Sequence, residues 1–249
     1  RPYRILIVDD ASTDGSGEYL SSLDDPRISV FRRETNGGES AARNDVIRLL
    51  ETDWVMWLDD DDVLLAHALE SQCAVLEKNP DADIVYGNVQ ICDERLEPRK
   101  EFLKYAHVSR EYQLYRLLID NMLTNGGTLV KRSVYEKAGM YDLEIRRSMD
   151  YDLWARAALQ ECLFQHNDYF IYLYRAHGGN CINPREQDPD HHRQYANVVT
   201  KILSGAPLEK IFPMLGWLEN PQASFIKALN VVALVYVKWQ HYDLALDAL

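Results

Sequence analysis

The sequence has few cysteines and no long apolar run, and both shortages exclude classes of protein. Its four cysteines, Cys73, Cys92, Cys162 and Cys181, form no C-x-x-C pair, so the spacing indicates neither a structural zinc site nor a disulfide framework. We expect reduced, mostly buried thiols, as in a cytosolic protein. The longest strongly apolar stretch lies near Ala228–Val237 and is too short to span a bilayer.

Basic residues are scarce relative to acidic ones. Lys and Arg total 27 against 39 Asp and Glu, which gives the 249 residues a formal net charge of −12. A nucleic-acid binder needs a basic face to neutralise phosphates, so this balance argues against nucleic acid as a partner. A nucleotide ligand is compatible with it, because a divalent cation can bridge protein carboxylates to phosphates.

The first half of the chain alternates short apolar runs with segments of helical periodicity. Strands are predicted at Arg4–Val8, Ile28–Arg32, Trp54–Leu58 and Asp83–Cys92. Helices are predicted at Gly17–Leu23, Ser40–Leu50 and Ala66–Lys78. Strands separated by helices indicate an α/β fold with a mostly parallel sheet flanked by helices, and ligands of such sheets lie beyond the carboxyl ends of the strands.

The second half is less regular and becomes helical towards its end. Met149–Leu159 predicts a helix, Phe170–Tyr174 predicts a strand, and the segment 94–110 resembles a charged surface excursion. From His191 onward the pattern is helical, with breaks such as the one at Asn220–Pro221. We therefore divide the chain into a domain of residues 1–190 and a helical C-terminal region of residues 191–249.

Carboxylates follow two of the predicted strands. The four adjacent aspartates from Asp59 to Asp62 repel one another, which a divalent cation would offset, and alternate residues let Asp59 and Asp61 face one site. An acidic cap on the next helix is the alternative explanation. Asp9 and Asp10 follow the first strand, where Asp10 can accept a hydrogen bond from a bound base.

Three further residues have both a functional and a structural explanation. Arg43 follows a glycine turn and is either a diphosphate contact or a surface residue of an ordinary helix. Asp150 is either a general base or a helix cap. A lone histidine such as His177 is more often structural or solvent-exposed than a ligand, but its place after a strand, in a glycine loop, raises the chance that it meets a ligand.

The order of these segments carries a resemblance. The succession VDDASTDGS, NGGESAARN, WVMWLDDDD, NGGTLVKRSVYEKAGMYD, MDYDLWAR and YRAHGG resembles the glycosyltransferase family 2 enzymes, which have the nucleotide-sugar-binding GT-A fold. The match covers about Arg4–Asn180. It implies that residues 1–190 form a GT-A domain that holds a nucleotide-diphosphate sugar, with a UDP-sugar favoured, and a Mn²⁺ or Mg²⁺ ion.

The resemblance also implies roles for residues that bind the donor. Asp10 matches the aspartate that contacts the nucleobase, with Asp9 beside it. Asp59 and Asp61 match the D-x-D motif, which contacts the ribose and the metal-bound diphosphate. Arg43 lies in a motif that often helps to hold the nucleotide.

Two residues are implied to act at the reaction centre. Asp150 matches the general base, although Met149 stands before it where the family often has Glu, and His177 matches a histidine found near the metal or diphosphate in some relatives. The implied reaction is a single displacement that inverts the anomeric carbon and moves a hexosyl or N-acetylhexosaminyl group to an acceptor hydroxyl. The acceptor would be a carbohydrate, lipid-linked molecule or protein, in polysaccharide, glycolipid or glycoprotein synthesis. Such relatives are cytoplasmic and associate peripherally with the inner face of the membrane.

The family's usual first strand, which carries a P-x-Y-N-like motif beside the nucleobase, has no counterpart in this sequence. The sequence opens at what resembles the second strand and stops within an apparent helix at Leu249. We therefore expect the chain to be a piece of a longer polypeptide, or another segment to supply the strand, because that strand is central in such a sheet.

One alternative function is that of a haloacid-dehalogenase-like phosphatase. Asp59 to Val63 satisfies the D-x-D-x-[T/V] pattern of those enzymes, in which Asp59 would be the nucleophile and Asp61 the acid/base. The lysine and later paired acids that this mechanism needs do not follow in convincing order.

A second alternative is a non-catalytic helical-repeat scaffold. Ala233, Tyr236, Tyr242 and Ala245 have the spacing of one tetratricopeptide repeat, with Gln240 in place of the usual turn glycine. Such a region would bind a protein partner through the C-terminal helices, whereas a helical hairpin packed on the first domain explains the pattern equally well.

Overall fold

The computed structural model describes residues 3–103, 106–177 and 189–248. Its strands are β1 Ile5–Asp9, β2 Ile28–Arg32, β3 Trp54–Met56, β4 Val63–Leu64, β5 Ile84–Cys92, β6 Pro98–Leu103, β7 Leu129–Lys131 and β8 Phe164–Arg175. Its helices are α1 Ser16–Ser21, α2 Glu39–Leu49, α3 Ala68–Lys78, α4 Gln113–Ile119, α5 Arg132–Ala138, α6 Met149–Leu159, α7 Pro189–Gly205, α8 Leu208–Ile211, α9 Pro221–Lys238 and α10 Tyr242–Asp247. A 3₁₀ turn at Arg110–Tyr112 precedes α4.

The strands form two sheets of mixed direction. β1 and β2 pair in parallel, while the second sheet has the order β3-β7-β5-β8-β4, with β6 also paired to β5. In this second sheet only β5 and β8 run parallel. The α/β architecture is confirmed, but the prediction of a mostly parallel sheet is wrong. Parallel neighbours need a long crossover, and the short turn between β5 and β6 permits only an antiparallel pair.

The two sheets do not join within the described part of the chain. There, β1 pairs only with β2, and β3 pairs only with β7. Apolar side chains on this small sheet are exposed, among them Ile5, Val30 and Phe31. The expectation that another segment supplies a strand stays a prediction.

Several boundaries differ from the sequence prediction because polar residues can belong to strands. β8 begins at Phe164 rather than Phe170, and its polar Asn167 is buried, donating to the Ser71 hydroxyl at 2.9 Å and the Gln72 side-chain oxygen at 3.1 Å. β6 lies inside the charged segment 94–110. A search for alternating hydrophobic residues does not predict these strands, because their polar groups find hydrogen-bond partners only in the folded chain.

One hydrophobic core joins the sheet to helices from both halves of the chain. It includes Ile84 of β5, Trp154 of α6, Val199 of α7 and Ala228 of α9. α7 and α9 therefore pack on the same core as the first half, while the division at residue 190 stays a prediction. The sequence break at Asn220–Pro221 is the start of α9, where the Asn220 side chain accepts the Ala223 N–H at 3.1 Å.

Two features bear on the expectations from composition. Cys73, Cys92 and Cys162 are free thiols, and the latter two are buried, while Cys181 lies outside the described residues. Within the described ranges, every helix is too short or too polar to cross a membrane.

Candidate active site

The acidic segment predicted from the sequence connects β3 to β4. Asp59 and Asp61 are partly exposed, Asp60 is exposed, and Asp62 is buried. The alternative that this segment caps a helix is wrong, because β4 follows it and α3 begins only at Ala68. The carboxylates are thus presented by a strand-to-strand connection.

Tyr172 of β8 fixes the start of this segment. The Asp59 N–H donates to the Tyr172 hydroxyl at 3.2 Å, and the ring is buried. A Cβ on Gly126 would lie 2.3 Å from the ring carbon Cζ of Tyr172, so a side chain there would displace the ring. The glycine turn therefore makes the space that lets Tyr172 reach the acidic segment.

Arg43 lies at the centre of the predicted donor-binding residues. Its guanidinium pairs with Glu39 one helical turn earlier and with the Asp59 carboxylate at 2.7 Å. It also lies over the rings of Trp57 and Tyr141, at 5.1 and 5.8 Å from their centroids. Burial opposes the charge, but Asp59, Tyr141 and Glu39 raise the pKa of Arg43 above its ordinary value. The structural alternative of a surface arginine is wrong, since the residue is 7% exposed.

The side chains of Asp61 and His177 are in contact, whereas the Asp59 carboxylate pairs with Arg43. His177 Nε2 lies 2.9 Å from Asp61 Oδ2. In the described part of the chain, no three His, Cys, Asp or Glu side chains form a group that could hold a metal ion. The predicted set of Asp59, Asp61 and His177 is therefore not one cluster, because Arg43 holds the Asp59 carboxylate. A carboxylate and an imidazole still fit a cation that takes its other ligands from substrate phosphates.

Asp62 ties the acidic segment to the end of β8. Its Oδ1 accepts the Arg175 N–H at 2.7 Å, and Arg175 Nε donates to the Asp61 carbonyl at 2.6 Å. Burial raises the pKa of Asp62 to about 6, against the lowering effect of the Arg175 hydrogen bond. Asp62 therefore ties the acidic segment to the backbone two residues before His177.

Asp10 holds the glycine turn before α2. It accepts the backbone N–H of Gly38 at 2.7 Å and that of Gly37 at 3.0 Å, and it pairs with Arg33. Burial opposes this charge, but the two N–H groups and Arg33 lower the pKa of Asp10. Gly38 has φ of +81°, and no atom lies within 4 Å of where its Cβ would stand. The turn thus offers open backbone to a ligand.

Asp9 serves the turn after β1. Its buried carboxylate accepts the Ser12 N–H at 2.9 Å and lies 3.3 Å from Arg32 Nε. Hydrogen bonds from Ser12 lower the pKa of Asp9, as expected for an Asx-type turn. The structure therefore gives Asp9 a local role beside Asp10.

Asp150 lies in the first turn of α6, but it is not the helix cap. The residue before the helix is Ser148, whose φ is +58°. Asp150 Oδ1 accepts the Tyr151 N–H at 2.8 Å, and Oδ2 accepts Nδ2 of Asn121 at 3.2 Å. Burial raises the pKa of Asp150, while Tyr151, Asn121 and the charge of Arg43 lower it by less. This carboxylate is suited to take up a proton.

These contacts bring most of the predicted residues into linked groups. Arg43 joins Asp59 and acts electrostatically on Asp150, while Asp61 pairs with His177 on the same acidic segment. Asp10 acts through the turn that leads into α2. The result is a set of carboxylates with one buried cation at its centre.

Several residues of this site were not predicted, among them Glu39, Tyr141 and Asn121. Glu39 precedes Arg43 by four residues, and this helical spacing was a local signal for an ion pair. Tyr141 stands in the quoted motif NGGTLVKRSVYEKAGMYD but was given no role, and Asn121 lies before that motif in a loop, where no pattern in the sequence marks it.

The fold is that of the GT-A glycosyltransferases. The family model "Glycosyl transferase family 2" matches residues 1–139, and the chain belongs to that family. The phosphatase alternative is therefore set aside. The tetratricopeptide resemblance of the C-terminal helices stays a prediction.

Similar proteins agree with this family. An uncharacterised glycosyltransferase of Methanocaldococcus jannaschii is 28% identical over 69% of this chain and 59% of its own length. WcaA of Escherichia coli, whose name refers to colanic acid biosynthesis, is 25% identical over 64% of this chain and 56% of its own length. The chain thus spans less than two thirds of either relative.

Solved structures show the same fold. S. aureus TarS 1–349 in complex with UDP-GlcNAc superposes with a TM-score of 0.58 at 16% identity, covering 94% of this chain and 72% of that one. TarS 1–349 in complex with UDP gives the same TM-score at 14% identity, covering 98% and 79%.

Proposed function

We propose that this chain carries out an inverting sugar transfer from a nucleotide-diphosphate sugar to an acceptor hydroxyl. The observation that carries the proposal is the Asp150 carboxylate, which Asn121 and the Tyr151 N–H hold in the first turn of α6 and on which the buried cation Arg43 acts electrostatically. A base and a fixed positive charge are the two groups that such a displacement needs, one for the incoming hydroxyl and one for the departing diphosphate.

In the proposed reaction, Asp150 removes the proton of the acceptor hydroxyl. The acceptor oxygen forms a bond to the anomeric carbon from one face, while the bond from that carbon to the diphosphate oxygen breaks on the other face. The electron pair leaves with the nucleoside diphosphate, whose charge Arg43 stabilises. One displacement inverts the anomeric configuration.

Asp61 and His177 are the residues that would hold a Mn²⁺ or Mg²⁺ ion. Such an ion supplies positive charge to the leaving diphosphate. The 2.9 Å contact between His177 Nε2 and Asp61 Oδ2 supports this assignment. Asp59 serves this site through Arg43, which it orients, and contacts the ribose from its exposed side.

The nucleobase would lie against the turn that Asp10 holds. Gly38 offers open backbone there, whereas Gly37 lies against the Arg33 guanidinium, and Asp9 keeps the end of β1 in place. This arrangement supports the predicted roles of Asp10 as a base contact and of Asp9 as its neighbour.

A UDP-sugar, and UDP-N-acetylhexosamine in particular, is the donor we favour. The support is the likeness in fold to TarS, which is solved with UDP-GlcNAc. The name of WcaA supports a polysaccharide acceptor, with glycolipid and glycoprotein acceptors as alternatives. We place the reaction in the cytoplasm, with peripheral contact to the inner face of the membrane.

The test is Asp150→Asn, which keeps the shape of the side chain and removes the base. Sugar transfer should fall about a thousandfold, because general-base catalysis contributes on the order of a hundredfold to ten-thousandfold. Donor binding, followed by calorimetry with a panel of nucleotide sugars and Mn²⁺, should be unchanged. Transfer at the parental rate would contradict the assignment of the base.

The matched control is Asp142→Asn, in the loop before α6. Asp142 accepts the Glu144 N–H at 2.9 Å and is not among the groups that perturb Asp150. This variant should transfer sugar as fast as the parent. A loss equal to that of Asp150→Asn would show that the assay reports the loop and not the base.

A further inference from the structure

The side chain that orients Asp150 comes from a loop that none of the recognised motifs includes. Asn121, between α4 and β7, donates its amide to Asp150 Oδ2 at 3.2 Å. The charged and titratable groups that act on Asp150 from other elements are Arg43 and Glu39 of α2 and Tyr141 after α5. Asn121 differs from these groups because it is neutral and fixes the direction of one oxygen.

Asn121 is itself held by the residue before it. Its backbone N–H donates to Asp120 Oδ1 at 2.8 Å. The second oxygen of Asp120 accepts Nζ of Lys238 at 2.6 Å, and the same Nζ donates to the Ile119 carbonyl at 3.2 Å. One lysine thus binds both the carboxylate and the end of α4.

Lys238 is the last residue of α9. Its Nζ lies 4.5 Å from the centroid of the Trp239 ring, which limits where the ammonium can stand. A continuous series of polar contacts therefore leads from the C-terminal helices through Lys238, Asp120 and Asn121 to the Asp150 carboxylate.

This connection is better suited to positioning than to holding the fold together. The side chains of Lys238 and Asp120 are 42% and 43% exposed, and an ion pair so open to solvent adds little to global stability. Its geometric effect is larger, since a small displacement of Asn121 changes the direction of the carboxylate that it contacts.

We infer that Asn121 is a positioning residue for the general base, and that Lys238 fixes it through Asp120. The inference rests on the proposed role of Asp150. It gives the C-terminal helices a part in the transfer reaction, because they hold the geometry of Asp150, a group at the reaction centre on α6.

The first test is Asn121→Ala. The lost hydrogen bond favoured the charged carboxylate, so its removal raises the pKa of Asp150 and moves the acidic limb of the kcat profile to higher pH. We expect kcat to fall about tenfold, the size typical of a lost hydrogen bond to a charged group. The KM for the donor should stay within about twofold of the parent, since no donor-binding residue is changed. Asn121→Asp should shift the limb further, because it adds a like charge.

The second test is Lys238→Met. We expect a smaller fall in kcat, about threefold, and a shift of the acidic limb in the same direction as Asn121→Ala. Lys238→Arg keeps the positive charge and should restore both values. Lys227→Met, an exposed lysine on the same helix, is the matched control and should behave as the parent.

The outcomes separate this inference from the proposed function. If Asp150→Asn is inactive while Asn121→Ala and Lys238→Met keep the parental kcat and pH profile, the positioning role is overturned and the base assignment stands. A lower melting temperature with an unmoved acidic limb also overturns it, because that result describes a structural contact. Transfer by Asp150→Asn at the parental rate overturns the base assignment and this inference with it.

Discussion

The candidate site has a donor side around Arg43 and an acceptor side around Asp150, and the two differ in how their charged side chains are compensated. On the donor side, the Arg43 guanidinium contacts two carboxylates, Glu39 and Asp59, and lies over two aromatic rings. On the acceptor side, the hydrogen bonds that the Asp150 carboxylate accepts from the described residues come from the Tyr151 backbone N–H and the amide of Asn121. On the donor side, opposite charges compensate the Arg43 guanidinium. On the acceptor side, the hydrogen-bond donors to the Asp150 carboxylate are neutral.

The pKa directions follow from this difference. Dense hydrogen bonding lowers the pKa of Asp10, so that residue stays ionised and holds its turn. Burial raises the pKa of Asp150, so that residue binds a proton more readily. The comparison teaches that aspartates of one chain acquire different roles from their surroundings, because burial and donors act in opposite directions on the same group.

The largest predicted effect on the donor side is the loss of donor affinity in Arg43→Met. We expect donor affinity to fall about a hundredfold, because a charge-assisted contact to the diphosphate is lost. The free energy of unfolding should also fall, by about 2 kcal/mol, since Asp59 loses its buried partner. Calorimetry and chemical denaturation measure the two effects.

Arg48→Met is the matched control for this change. Arg48 lies on the same helix, is exposed, and pairs with Asp45. It should leave both donor affinity and stability near the parental values. Parental donor affinity in Arg43→Met would contradict the comparison of the two sides.

The pH dependence of kcat tests the role of Asp150 on the acceptor side. Because burial raises its pKa above the ordinary value of an aspartate, Asp150 is protonated and unable to act as a base at pH values where an ordinary aspartate is ionised. We expect kcat to fall about tenfold per pH unit below that raised pKa. Donor affinity, measured over the same range, should not follow this limb. An acidic limb at the ordinary carboxyl pKa would be evidence against the assignment.

The metal assignment belongs to the donor side and predicts a smaller effect. His177→Ala should weaken the enhancement of donor binding by Mn²⁺ by several-fold to about tenfold, because one protein ligand is removed. Chelation should reduce donor binding in the parent. His107→Ala, at an exposed position, is the control and should keep the parental response to Mn²⁺. Equal donor binding with and without Mn²⁺ in the parent would exclude the role.

The smallest predicted effect is at Gln240, which lies outside the donor and acceptor sides, and it tests whether stability can change there without a change in kcat. Gln240 has φ of +60° between α9 and α10, a conformation that favours glycine. Gln240→Gly should raise the free energy of unfolding by about 0.5–1 kcal/mol without changing kcat. Lys227→Gly, inside α9, should lower stability by a similar amount. A loss of stability in Gln240→Gly would show that the side chain outweighs the backbone strain.

Local patterns predicted the elements whose signals lie within a few residues. α6 and β2 have the predicted bounds, since apolar periodicity and neighbouring polar residues mark them. β4 escaped prediction because it is two residues long and pairs with β8, which is distant in the sequence. β6 escaped because it is polar, although its partner β5 is only a short turn away. The antiparallel pairing of β7 with β3 and β5 was not predicted, because it joins strands that are distant in the sequence.

The site shows the same division. The order of the acidic motifs predicted Arg43, Asp59 and Asp150 and the family to which the chain belongs. It did not predict that the Asp59 carboxylate would pair with Arg43 instead of joining Asp61 in one metal site. The Arg43–Asp59 ion pair joins residues sixteen positions apart on different elements.

The sequence by itself determined which residue types stand at the strand ends, the glycine turns beside them and the helices that follow, because those depend on local backbone preferences and periodicity. Only the tertiary structure decided which carboxylate keeps a charged partner and which is partly buried with neutral hydrogen-bond donors. The physical reason is that desolvation and ion pairing act over a few ångströms in space, and the loop of Asn121 and the end of α9 reach Asp150 only when the chain is folded.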